Sequence, residues 1–475
     1  MTQLWEIENF LEVRDSQLHM EGANMVALAR EYGTPLFVFS ESRIRHNIAR
    51  LEKIRDVIGC RLKICYAAKA MSTMAILRTV KEAGCDIEVN SGGELWKALE
   101  IGFRGDQIIF NGTSKEVWEI ENAIKAEIYA IQVDSLYELS MIEQTAKRLG
   151  KRANVSLRLV PEIESDTHSG LQTALVTSKF GMMPSEAFSA FRDHKDSAQL
   201  SLCGIHLHVG SQNPDPVVYT QALELLYRGV KQIFAETGKA LGHINIGGGF
   251  PVNYLRNEGS QAVFPNEQRQ MFCADFEPVD ALHAAWQSVR EDIGGDKNWD
   301  LMTNITLTLE PGRSIIADTG ICLTTVRNSK SRPIRNGISS IDDSEHAENW
   351  LLTDAGFNIL LSMETYKWYY HIISAERAGE EHDFPYKLAG PLCDGGDVYF
   401  DHEGHGRLPD HRLLPPDLKP GDVLALLNCG AYSLAQASQY NGRFLPAVVL
   451  IRENGSPELV RKRDDFESLT ANDIF

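Results

Sequence analysis

No C-x-x-C pair occurs anywhere in this 475-residue chain, and its eight cysteines stand scattered as Cys60, Cys65, Cys85, Cys203, Cys273, Cys322, Cys393 and Cys429. That spacing argues against a disulfide framework and against a cysteine zinc site, and points to reduced thiols. Also missing is any run of about 18 apolar residues, so no segment reads as a membrane span. The first ten residues, Met1–Phe10, carry Glu6 and Glu8 and lack both a basic start and an apolar stretch. A cytoplasmic rather than a secreted protein is therefore expected. Positive charge is scarce: 47 Lys+Arg face 65 Asp+Glu, for a net charge of -18. Nucleic acid and anionic membranes are poor partners for such a surface, whereas a small cationic substrate suits it. No G-x-G-x-x-G opens an early helix, and there is neither a low-complexity tract nor a repeat longer than a strand-helix rhythm.

What is present is ordinary soluble composition, 43% hydrophobic and 24% charged, over a length that predicts two domains. Gly22–Tyr32 reads as a short helix, Pro35–Ser40 as a strand and Ser42–Val57 as an amphipathic helix. Apolar, β-rich runs then recur at Leu62–Ala67, Cys85–Val89, Gln107–Phe110, Tyr129–Val133, Asn154–Val160, Leu202–His208, His243–Ile246 and Asn304–Leu309. Helical sequence lies between them, as at Met74–Ala83, Gly93–Gly102, Ser135–Leu149 and Val217–Thr237. Eight strands alternating with helices predict a (β/α)8 barrel rather than an open, doubly wound sheet. After Glu310 the pattern becomes short β runs (Ile321–Val326, Trp350–Thr353, Val423–Leu427, Ala447–Ile451) between turns, which predicts a mostly β second domain, a sandwich or barrel. The expected division is 1–40 as a segment packing with the β domain, 41–310 as the barrel and 311–475 as the β domain. Asn253–Gln270 reads as an insertion and Arg327–Glu348 as an exposed loop or hairpin.

Barrels of this kind place their chemistry at the C-terminal ends of the strands. Those ends carry Lys69, Glu88, Arg158, His208, Gly247-Gly248-Gly249 and Glu310-Pro311-Gly312-Arg313. Singly, each has an ordinary explanation: a strand-closing lysine, a core histidine or half of a weak His206/His208 metal pair, a tight turn, an incidental ion pair. Six on one rim do not. A desolvated lysine is an amine nucleophile. Glycines let backbone N–H groups approach a phosphate, and Arg313 adds a charged donor. A flat imidazole stacks on a ring, and a carboxylate keeps a pyridine nitrogen protonated. Together they describe a site for pyridoxal 5′-phosphate.

In this order the chain also reads Y-A-A-K-A, S-G-G-E, H-L-H-V-G-S-Q, G-G-G-F-P, E-P-G-R-S-I, G-P-L-C-D-G-G-D and G-A-Y-S-L-A-Q-A-S-Q-Y-N-G-R. This series resembles the alanine-racemase-like (fold type III) pyridoxal-phosphate decarboxylases, which include the ornithine and diaminopimelate decarboxylases, over about residues 35 to 465. The resemblance implies that Lys69 carries the cofactor, His208 stacks on it, and Glu310 pairs with its ring nitrogen. It further implies that Ser211, Gly247, Gly248, Gly249, Gly312, Arg313 and Tyr432 bind the phosphate, with Glu88 and Arg158 in support. Many relatives have aspartate where Glu88 stands. Cys393 would protonate Cα, while Asp394 and Tyr432 would meet the substrate. Cys393 and Asp394 would act in the neighbouring subunit of a head-to-tail homodimer.

For the substrate, C-D-G-G-D resembles the ornithine branch, in which the first aspartate holds a distal ammonium. S-G-G-E and E-P-G-R-S-I resemble the diaminopimelate branch. The mixture, with E-I-G-F-R-G-D-Q-I-I-F-N-G over Glu100–Gly112, resembles bacterial D-ornithine/D-lysine decarboxylases. The expected reaction is decarboxylation of lysine or ornithine, the D enantiomer included, to a diamine and CO2. The alternatives are meso-diaminopimelate, a larger siderophore or antibiotic intermediate shaped by the aromatic run Tyr366–Tyr370, and a non-catalytic relative of the fold.

Overall fold

The computed structural model describes residues 5–160, 178–255, 264, 269–293, 298–333 and 347–474. Most of Asn253–Gln270 and the middle of Arg327–Glu348 lie outside the described residues. The chain divides into two compact units: Arg45–Pro251 with Ala274–Ile315, and Met1–Ile44 with Val252–Cys273 and Ile316–Phe475.

The first unit is a closed barrel of eight parallel strands. They are β1 (Arg61–Ala67), β2 (Asp86–Val89), β3 (Ile108–Phe110), β4 (Ala130–Val133), β5 (Ala153–Arg158), β6 (Leu200–His206), β7 (His243–Asn245) and β8 (Thr306–Leu309). Each strand pairs with its neighbours in sequence, and β8 closes on β1. A strand in such a barrel is covered on both faces, which is why β1 is a continuous apolar run from Ile64 to Ala67. Helices cross between the strands, and two of them start at a serine and stop at a left-handed glycine. Ser91 accepts from the Glu94 N–H and Gly102 (φ 87°) ends that helix; Ser135 accepts from the Glu138 N–H and Gly150 (φ 61°) ends the next. These caps satisfy backbone groups that a helix end would otherwise leave bare. The S-G-G-E motif is thus a helix start, with Glu94 Oε2 reaching back to the Asn90 N–H at 2.8 Å.

The barrel strands also carry buried polar residues toward their C-terminal halves: Glu88, Gln132, Ser156, His206, Asn245 and Thr308. A core filled purely for stability would be aliphatic there. The polar content marks the end of the barrel where binding is built.

The second unit is mostly β. Its nine-stranded sheet has Gly320–Pro333 as the central strand, flanked by Leu36–Ser40, Ala347–Thr353 and Val423–Leu426. Leu36–Ser40 also pairs in parallel with Ala447–Ile451. Arg327–Glu348, expected as an exposed loop or hairpin, has its described ends paired: Gly320–Pro333 runs antiparallel to Ala347–Thr353. The aromatic run is core, for Trp368, Tyr369 and Tyr370 are buried against Tyr254 and Phe272, with Trp368 edge-on to Tyr254 at 5.1 Å. No helix among the described residues is long and apolar enough to cross a membrane.

Candidate active site

Lys69 lies in a single 3-10 turn, Ala68–Ala70, directly after β1. The turn is pinned from both sides. The Tyr66 hydroxyl donates to the Met71 carbonyl at 3.0 Å, and the Ala67 N–H donates to the Pro311 carbonyl at 3.1 Å. Lys69 Nζ stands 3.8 Å from Glu88 Oε2, whose side chain is wholly buried at the end of β2.

Glu310, after β8, is buried as well and is gripped by amides. Asn245 Nδ2 donates to Oε1 at 2.6 Å and Asn111 Nδ2 to Oε2 at 2.9 Å. His206 Nε2 lies 3.6 Å from Oε2. Burial pushes the Glu310 carboxyl up to about 7, with the charge of Glu88 adding to the push; Lys69 and the two amides act against it. Burial holds the imidazole of His206 well below its ordinary range, reinforced by Arg158 and His208. His208 is likewise held neutral by burial, with Lys69 and Arg158 nearby. Its Nδ1 accepts from the Gly210 N–H at 3.0 Å, which leaves the ring proton on Nε2.

After β7 the chain turns through Gly247, Gly248 and Gly249, a cradle that no side chain could enter. A Cβ on Gly248 would sit 2.5 Å from the Glu310 carbonyl oxygen, and one on Gly249 (φ +93°) would sit 2.3 Å from the Gly210 carbonyl oxygen. Arg313, next to Gly312, is buried and its Nε donates to Ser211 Oγ at 3.3 Å. Arg158 ends β5 with its guanidinium 4.3 Å from the Phe180 ring centre. It lies within electrostatic reach of Asp134, Glu310 and Glu88, and burial lowers its basicity without discharging a guanidinium.

The barrel unit therefore carries Lys69, Glu88, Arg158, His208, Ser211, Gly247 to Gly249, Glu310, Gly312 and Arg313 at or beyond the C-terminal ends of its strands. Strand-end reasoning alone passed over Asn111, which follows β3, and Asn245, which ends β7. The signal was there, since each stands at a strand end as Lys69 does. His206 was weighed as a weak metal ligand and instead faces Glu310.

Cys393, Asp394 and Tyr432 belong to the β-rich unit. Cys393 is exposed, its N–H bonded to Asn441 Oδ1 at 2.7 Å. Asp394 accepts from the Gly396 N–H at 2.9 Å and from the Tyr440 hydroxyl at 3.3 Å. Asp397 shapes this turn from inside, accepting from the Leu392 and Phe357 N–H groups at 2.7 and 2.9 Å. Tyr432 sits at φ 56°, a left-handed backbone that a non-glycine residue adopts only under local constraint.

The donor set fits one kind of molecule: a phosphate at the glycine turn with Ser211 and Arg313, an aldehyde within reach of a lysine, and a cationic ring nitrogen at a buried carboxylate. Residues 43–317 match the family described as "Pyridoxal-dependent decarboxylase, pyridoxal binding domain". The chain belongs to the pyridoxal-dependent decarboxylases. This decarboxylase is 34% identical over 461 residues to the diaminopimelate decarboxylase of Methanothermobacter thermautotrophicus, covering 97% of this chain and 96% of the relative. To that of Methanocaldococcus jannaschii it is 31% identical over 470 residues, covering 98% and 96%. The crystal structure of the M. jannaschii enzyme in co-complex with L-lysine superposes with a TM-score of 0.82 at 30% identity, covering 98% of both chains. This pyridoxal-dependent decarboxylase is thus an amino-acid carboxy-lyase that uses pyridoxal 5′-phosphate. Whole-chain similarity runs to diaminopimelate decarboxylases, the branch that the sequence reading placed second, and it does not single out the D-ornithine/D-lysine enzymes.

Proposed function

We propose that the chain removes a carboxylate from a diamino acid whose far end carries an ammonium group, with meso-diaminopimelate as the substrate that its relatives favour. The observation that carries the distal ammonium is Asp394, a carboxylate set in a turn by Gly396 and Tyr440. The M. jannaschii relative is described with L-lysine, which ends in the same ammonium. A second reading, lysine or ornithine in the D or L form, is favoured by the turn itself. Cys393-Asp394-Gly395-Gly396-Asp397 has the acidic, glycine-rich form of the ornithine branch.

In this reading Lys69 holds the cofactor covalently, and Gly247 to Gly249, Ser211, Gly312, Arg313 and Tyr432 hold its phosphate. His208, neutral and oriented by Gly210, offers its face to the ring, and Glu310 takes the ring nitrogen. Glu88 and Arg158 fix the charge around them. Bound there, pyridoxal phosphate supplies an electron sink for the carbon that loses CO2. Glu310 keeps a proton on the ring nitrogen, and Cys393 Sγ delivers the proton that Cα gains. Asp394 and Tyr432 align the substrate. Cys393 and Asp394 serve the barrel site of a second copy, which makes the working unit a homodimer.

Two measurements test the proposal. Borohydride reduction of the holoenzyme should leave a pyridoxyl group on Lys69. CO2 release should be assayed over D- and L-lysine, D- and L-ornithine, arginine and meso-diaminopimelate. Turnover of meso-diaminopimelate far above the others supports the first reading, and a preference for lysine or ornithine supports the second. Release from arginine alone, or a mark on another lysine, would overturn both.

A further inference from the structure

Glu88 on β2 and Glu310 after β8 flank β1 from opposite sides, and both are buried. Two buried carboxylates this close repel, and desolvation favours protonating one of them. Between them stands Asn111, itself buried just after β3. Its single amide nitrogen donates to Glu88 Oε1 at 2.8 Å and to Glu310 Oε2 at 2.9 Å. An amide nitrogen has two hydrogens and nothing to accept with, so it meets both acids as a donor. A donor favours the charged form of each.

We propose that Asn111 is a positioning residue whose one amide nitrogen ties Glu88 to Glu310 and favours the ionised form of Glu310 beside Glu88, so that a cation taken up at Glu310 meets two carboxylates held together. The proposal rests on the reading of Glu310 as the acid beside the cofactor's ring nitrogen.

Among the described residues, these groups face the pair. Lys69 and Cys65 approach from β1 and the turn after it. Arg158 approaches from β5, and Glu94 faces Glu88 from the following helix. His206 and His208 on and after β6 remain neutral. Asn245 donates to Glu310 Oε1 from β7 and provides the comparison, because its bond goes to the other oxygen. With Glu310 pushed up to about 7, its ionisation falls in a range that binding experiments reach.

Apo-enzyme is titrated with pyridoxal phosphate from about pH 6 to about pH 9, following protein fluorescence, for wild type, Asn111→Leu and Asn245→Leu, each with Glu88 intact and again with Glu88→Gln. Asn111→Leu should move the acidic limb of affinity upward by about one pH unit, or about tenfold weaker binding at pH 7. In the Glu88→Gln background that shift should fall to less than half, because the repulsion Asn111 offsets is gone. The shift caused by Asn245→Leu should be the same in both backgrounds. An unmoved limb in Asn111→Leu, or equal shifts in the two backgrounds, overturns the proposal. If Asn111→Leu does not fold, Asn111→Asp keeps the shape and replaces the double donor with a third acid. Its limb should move the same way, and an unmoved one is equally decisive. Wild type that takes up no pyridoxal phosphate would instead sink the cofactor assignment of the site.

Discussion

A single carboxylate separates the substrate readings. Asp394 is exposed, and among the described residues a backbone N–H and one hydroxyl hold its carboxylate, so its charge faces outward. Asp394→Ala should raise KM for the preferred diamino acid by about tenfold to a hundredfold, as losing a charged hydrogen bond of about 1.5–3 kcal/mol implies. Pyridoxal phosphate affinity should be unchanged; equal damage to both would remove the ammonium role. At the far end of the barrel His243 is buried against Tyr129, with ring centres 5.0 Å apart. Burial, helped by Lys63, lowers its pKa to about 4. Below its ordinary value of about 6.5 the unfolded chain binds a proton there that the folded chain refuses, so stability is lost as pH falls from 6.5 toward 4. His243→Gln escapes that loss. Its deficit against wild type in urea unfolding should narrow by about 3 kcal/mol between pH 7 and pH 4. A constant deficit would show that the imidazole is already charged in the folded protein.

At the scale of elements, the loop after β3 is anchored by Lys115. Its ammonium donates to the Gly112 and Gln132 carbonyls at 2.6 and 2.8 Å and to Glu138 Oε1 at 2.6 Å, with both side chains almost wholly buried. This pair joins the loop that presents Asn111 to the start of the helix after β4. Lys115→Met leaves a buried carboxylate without its partner and should cost about 3–5 kcal/mol in chemical denaturation. Adding Glu138→Gln should recover more than half of that; no recovery would show that the loss comes from packing. The eight strands were legible because each is a compact apolar run bounded by polar helix surface. Asn111 and Asn245 were not singled out, because one amide at the end of an apolar run looks like a turn residue. Only the barrel's closure brings β3 and β7 residues to one carboxylate from β8.

For the whole molecule, the sites proposed for the two units imply complementation. Lys69→Ala and Cys393→Ala chains should each be inactive or nearly so. Mixed under conditions that exchange subunits, they should regain about a quarter of wild-type activity, as one intact site in half of the dimers predicts. No recovery in mixtures shown to exchange would place both residues at a site within one chain. The β-rich unit also shows where sequence reading is weak. Its pairing of Leu36–Ser40 with Gly320–Pro333 and Ala447–Ile451 joins segments hundreds of residues apart. No local pattern encodes such a partner.

Periodicity and strand-end chemistry by themselves determined the barrel, the lysine at its first strand and the acid after its last, because a local run of side chains dictates each of those features. Tertiary structure alone decided that one amide nitrogen spans Glu88 and Glu310, and that His206 backs the same acid. Those facts depend on distances across a closed barrel, which residues far apart in the chain acquire only when the sheet joins its own edge.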